Sequence, residues 1–189
     1  MQNKKLIISL FSLCLVAIVG LLATVIVFAA QSQEIKSGIT INYTATEVAG
    51  TLTGSYKVGS TSSTETKSVT FTATTEASTI GDLNFAKEPK LDATNKTVVY
   101  TYTFKNDSST SAKMTLSTTL QTNGTNITIK YGKSEDDMSL STPPTDIVVA
   151  ENEEKSIYVQ ITIDNTAKNV DLTGSFNIVI ANTVESQGA

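Results

Sequence analysis

The chain has 189 residues, a net charge of −4, 31 threonines and no histidine or tryptophan, and all 14 of its basic residues are lysine. Without histidine, Ser-His-Asp and Cys-His catalysis, imidazole zinc ligands and the HExxH motif are excluded. Without arginine there is no bidentate fork for phosphate or guanine, and the acidic balance repels nucleic acid.

The length suits one ordinary domain plus an export segment. Lys4 and Lys5 precede an uncharged run of 25 residues from Leu6 to Ala30, after which Gln31 to Lys36 returns to polar sequence. This pattern predicts residues 1–30 as an N-terminal hydrophobic helix that acts as a signal peptide or, given its length, as an uncleaved membrane anchor. Val27-Phe28-Ala29 sets small or branched residues where a signal peptidase reads, so cleavage is expected at Ala29 or Ala30. Either outcome places residues 31–189 outside the cell, with the membrane touched only through residues 6–30. Cys14 lies deep in the apolar run, and Leu13 occupies the place where a lipobox requires a small residue. Loss of Lys4 and Lys5 takes the charge from −4 to −6, and the exported part has no cysteine, so its core must hold it without disulfides.

Beyond residue 31 the pattern has period two, with apolar residues alternating with threonine, serine and lysine. Ile39, Ile41, Tyr43 and Ala45 predict a first strand, and Leu52, Tyr56 and Val58 a second. Val69, Phe71 and Ala73 follow the Gly59 to Ser63 loop. Val98, Tyr100, Tyr102 and Phe104 form the clearest strand: from Thr97 to Lys105, eight of nine residues are β-branched or aromatic, a poor composition for a helix. Asn106 to Ser109 is turn chemistry, so Ala112, Met114, Leu116 and Leu120 are expected to return as a hairpin. Ile127, Ile129 and Tyr131 continue the series, and Ile157 to Ile163 with Leu172 to Ile180 are expected to pair across Asp164 to Asp171. Two stretches break the pattern: Thr75 to Leu91, expected as a crossover loop with a helical turn, and Gly132 to Asn152, a polar loop with a short edge strand at Ile147 to Val149. The expected fold class is all-β, an antiparallel β-sandwich of Ig-like or jelly-roll type with about eight strands, in a single domain over residues 31–189.

Candidate sites are few. Glu135-Asp136-Asp137 and Glu151, Glu153, Glu154 offer clustered oxygens suited to calcium, but in no DxDxDG spacing, and they read as solvated loops. The same acids could in principle form a glycosidase pair, yet no tryptophan or aromatic cleft accompanies them. Lys67 shares the inward parity of Val69 and Phe71, which suits either snorkelling or an intramolecular amide with an Asn or Asp. Asn42, Asn95, Asn106, Asn123 and Asn126 begin N-x-Ser/Thr triplets, most by chance in so threonine-rich a chain. Tyr100, Tyr102 and Phe104 form an aromatic stripe that suits a sugar platform, but their parity favours core packing. No residues stand at catalytic, cofactor or metal-ligand spacing, so none is assigned.

The twin-lysine signal, its end Ala23-Thr24 to Phe28-Ala29-Ala30, the run Tyr100-Thr101-Tyr102-Thr103-Phe104-Lys105-Asn106, and the closing Ile157 to Ile163 with Gly174-Ser175-Phe176 resemble the TasA and camelysin group of exported proteins. The resemblance implies a jelly-roll-like sandwich, export through a dedicated signal peptidase and assembly into biofilm matrix fibres. Ala23-Thr24-Val25-Ile26-Val27-Phe28 stands where that group carries an ATxAYFSD-like junction, and no metal motif supports the peptidase activity attributed to camelysin.

The expected function is therefore that of an exported, non-enzymatic structural protein of a Gram-positive cell surface or extracellular matrix. Its partners are further copies of itself or other surface proteins, and its fibres assemble by donation of the strand in residues 31–46 to a neighbouring sandwich. The alternative is a monomeric surface adhesin or ligand-binding module, tethered by the N-terminal helix and binding through the Gly132 to Asn152 loop.

Overall fold

The computed structural model describes residues 36–46, 48–61, 65–72, 78–83, 85, 89, 91, 94–122, 127–164 and 171–183, all within the unit Gln33–Ala189. The expected N-terminal helix and the cleavage residues Ala29 and Ala30 lie outside them. Among the described residues no helix is long and apolar enough to cross a membrane.

Among the described residues eleven strands are formed: β1 (Lys36–Thr46), β2 (Gly50–Val58), β3 (Glu65–Phe71), β4 (Ser78–Asp82), β5 (Thr97–Asn106), β6 (Ala112–Thr118), β7 (Gln121–Thr122), β8 (Ile127–Gly132), β9 (Ile147–Val149), β10 (Glu154–Ile163) and β11 (Asp171–Asn182). Setting aside the short β4, β7 and β9 leaves the eight longer strands that the alternation predicts. One sheet has the order β4-β1-β11-β6-β9, with β7 also on β11, and the other the order β3-β2-β5-β10-β8. Every pairing is antiparallel except that of β1 with β11, which is parallel from Lys36↔Asp171 to Thr46↔Ala181.

The alternating side chains explain why the sheets face each other. On β10, Ile157, Val159, Ile161 and Ile163 are buried while Tyr158, Gln160 and Thr162 are half-buried on the opposite face. Ile41, Met114, Leu116, Phe176, Ile178 and Ile180 of one sheet meet Leu52, Tyr56, Tyr102, Phe104 and Ile157 of the other in one core. Aromatic rings bridge the layers, with Phe176 5.7 Å edge-on from Tyr100 and 5.9 Å from Tyr102, and within one sheet Phe71 stacks 5.9 Å from Phe104. Each such pair adds about 0.5–1.5 kcal/mol to the burial itself.

The opposite faces account for the threonines. Hydroxyls pair across strands at Thr51–Thr70 (3.0 Å), Thr53–Ser68 (2.9 Å), Thr103–Ser156 (2.8 Å) and Thr97–Thr162 (3.2 Å). Such cross-strand pairs stabilise a wet sheet face by a few tenths of a kcal/mol each, to about 1 kcal/mol.

Two expected pairings are corrected. β5 and β6 do not form a hairpin: they lie in different sheets, because the chain crosses from one layer to the other at residues 107–111. β10 and β11 likewise belong to opposite sheets, β10 pairing with β5 and β8, and β11 with β1 and β6. An apolar face specifies which layer a strand covers but not which strand lies beside it. Between Thr75 and Leu91, where a helical turn was expected, residues 78–82 form β4 on β1. The short strand expected at Ile147 to Val149 is present as β9, at the edge beside β6.

Candidate functional site

Most residues singled out in the sequence have structural settings. Tyr100, Tyr102 and Phe104 are at most 2 % exposed, which places the aromatic stripe in the core and leaves no sugar platform there. Lys67 sits on the edge strand β3 with its ammonium 3.9 Å from Glu65 and its side chain partly exposed, the snorkelling arrangement. Glu135 pairs with Lys57, Glu153 lies 3.4 Å from Lys155, and these carboxylates face solvent. Among the described residues no three Asp, Glu, Cys or His side chains converge on a common point. Of the triplet asparagines, Asn106 is wholly buried, Asn95 is half-buried, and Asn123 and Asn126 lie outside the described residues.

The burial of Asn106 is the feature that the sequence reading missed. Its Nδ2 donates to the carbonyls of Thr110 (2.8 Å), Val149 (3.0 Å) and Ala150 (3.2 Å), and its Oδ1 accepts the amide of Ser108 (3.0 Å). Its main chain donates to Glu153 and accepts from Asn152, each at 2.9 Å. A buried amide is tolerated only when saturated in this way. The available signal was parity: Asn106 continues the inward series Tyr102, Phe104. Two residues on, the Ser108 hydroxyl accepts the Ala49 amide at 2.7 Å and lies 3.1 Å from the Ala49 carbonyl, which also accepts the Asp107 amide at 3.0 Å. The crossover from β5 to β6 therefore grips both the turn before β10 and the link between β1 and β2. At the outer end of this turn Lys105 bonds Asp107 at 2.7 Å, which raises the pKa of its ammonium.

The other distinctive element is β1. It lies between β4 and β11, with Ile41 and Ala45 in the core, and Leu83 donates its amide to the Ile41 carbonyl at 3.2 Å. Residues 47–49 link it to β2 in the opposite sheet. The setting is a slot that takes an extended strand through main-chain hydrogen bonds on both sides and apolar side chains at alternate positions, which is how sheets bind added strands.

The remaining edges offer less. β4 and β9 have five and three residues, β3 carries Glu65 and Lys67, and at the end of β8 Tyr131 exchanges backbone hydrogen bonds with Leu140 at 2.9 and 3.0 Å. Short, charged or covered edges resist simple edge-to-edge pairing.

The chain matches no protein-family model, no curated protein and no solved structure.

Proposed function

We propose that this protein is an exported structural subunit of the cell surface or extracellular matrix, and that copies assemble into fibres when β1 of one subunit fills the slot between β4 and β11 of the next. The observation that carries this reading is the parallel pairing of β1 with β11: a terminal strand held beside its neighbour with no turn between them leaves without breaking a hairpin. The blunted edges elsewhere favour strand exchange over lateral pairing. An alphabet free of histidine and arginine suits packing and adhesion better than catalysis. The resemblance of the signal and of the Tyr100 to Asn106 run to the TasA and camelysin group points the same way, toward an Ig-like or jelly-roll sandwich, passage through a signal peptidase and a place in a Gram-positive biofilm matrix.

The test is the N-terminal residue and mass distribution of the protein recovered outside the cell. A start near Ala30 together with high-mass species supports the reading. Full-length monomers retained at the membrane would instead favour a tethered module that binds through the Gly132 to Asn152 loop.

A further inference from the structure

The clamp on Ala49 sits in the short link that leads from β1 to β2. Two hydrogen bonds from Ser108 and one from Asp107 hold the Ala49 main chain, and Ser108 is itself fixed through its amide to the buried Asn106. From Gly50 onward, β2 is paired with both β3 and β5. On the other side of Ala49, the strand pairings of β1 are with β11 and β4. A moving element needs a fixed end, and a residue held through both its amide and its carbonyl by another segment supplies one.

Resting on the strand-donation reading, we infer that Ala49 is the fixed end of the exchange: β1 leaves the slot while Ala49, the Asn106–Ser108 turn and β2 keep their places. The partner is a second copy of this chain, whose own Ile41 and Ala45 fill the positions vacated. Ser108 is thereby a positioning residue. It lets the terminal strand swing out without loosening the start of β2, so the core around Leu52 and Phe104 stays closed during assembly.

Engineered disulfides test this directly, because the chain's only cysteine is Cys14. In a Cys14→Ser background of the full chain, Thr44→Cys with Val179→Cys joins register partners of β1 and β11. Ala49→Cys with Ser108→Cys replaces the clamp by a covalent bond, and Thr51→Cys with Lys105→Cys ties register partners one step further on. Disulfide formation is verified by thiol titration, and assembly is followed by light scattering in oxidised and reduced samples. The expected result is that oxidation abolishes assembly in the first pair, reversibly with reductant, and leaves it within about twofold of wild type in the other two. Assembly lost on oxidation of the 49–108 or the 51–105 pair, and regained on reduction, would overturn the fixed end while leaving strand donation intact. Unimpeded assembly of the oxidised 44–179 pair, or no assembly by any form of the protein, would overturn the donation reading and the fixed end with it.

Discussion

The hydroxyl of Ser108 meets both polar groups of the Ala49 main chain, 2.7 Å from its amide and 3.1 Å from its carbonyl, across 59 residues of sequence. That contact, with the saturated Asn106 beneath it, joins three connections that a simple hairpin reading keeps apart: β1 to β2, β5 to β6 and β9 to β10. Three of the layer crossings are thus tied together by one buried amide and one half-buried hydroxyl.

Removing that amide should be among the costliest single changes available. Asn106→Ala leaves the Val149 carbonyl buried without its donor and the Ser108 amide without its acceptor, for an expected loss of about 3–5 kcal/mol in urea unfolding. Ser108→Ala should lose about 1–2 kcal/mol, and Asn106→Asp at least as much as Asn106→Ala, since a carboxylate would face three carbonyl oxygens. A loss under about 1 kcal/mol in Asn106→Ala would show that the crossover is held by other means.

Tyr102 gives a prediction of opposite sign. Its ring is in the core, and its hydroxyl is the one buried side-chain polar atom among the described residues without a hydrogen-bond partner. Tyr102→Phe should therefore stabilise the fold by about 1 kcal/mol at pH 7. Burial first, and then the neighbouring Tyr100, push the Tyr102 pKa well above its ordinary 10.0, and burial raises that of Tyr131 in the same direction. The unfolded chain ionises these phenols first, so their contribution is complete below about pH 10 and falls as pH rises beyond it. With no histidine to titrate, stability should be flat from about pH 6 to 9 and then decline, by at most about 1.4 kcal/mol per pH unit for each phenol. Unfolding curves at pH 7, 9 and 11 measure this, and Tyr102→Phe should remove part of the alkaline slope.

Gly50 and Gly54 lie on one face of β2 and should respond differently to alanine. A Cβ at Gly50 would stand 2.4 Å from both the Lys105 carbonyl oxygen and Cε2 of the Phe104 ring, whereas at Gly54 its nearest neighbour is Leu83 Cδ1 at 3.4 Å. Gly50→Ala should cost about 2–3 kcal/mol through overpacking against backbone, and Gly54→Ala should lie within about 1 kcal/mol of wild type. Paired thermal melts of the two variants provide the comparison.

The strands themselves were legible because period-two alternation is a local property: Val98 to Phe104 and Ile157 to Ile163 announce both their conformation and their buried face. Partner choice was not, since Met114 and Leu116 look equally suited to pairing with β5 or with β11. The turns misled for the same reason. The link at residues 107–111 has the length of a hairpin loop, and only the burial of Asn106, which appears once the layers are assembled, makes it a crossing. The slot of β1 was partly visible, as an alternating strand following a polar segment. Its parallel neighbour, more than 120 residues away in sequence, was not.

Strand donation is tested most directly by competition with the free strand. A synthetic peptide of residues 31–46, titrated into the assembling protein, should bind the slot, cap growing ends and shorten fibres seen by electron microscopy, in proportion to the ratio of peptide to subunit. A peptide of the same composition with Ile39, Ile41, Tyr43 and Ala45 moved to the opposite parity should have no effect. Fibres of unchanged length and number at a large molar excess of the native peptide would contradict the account.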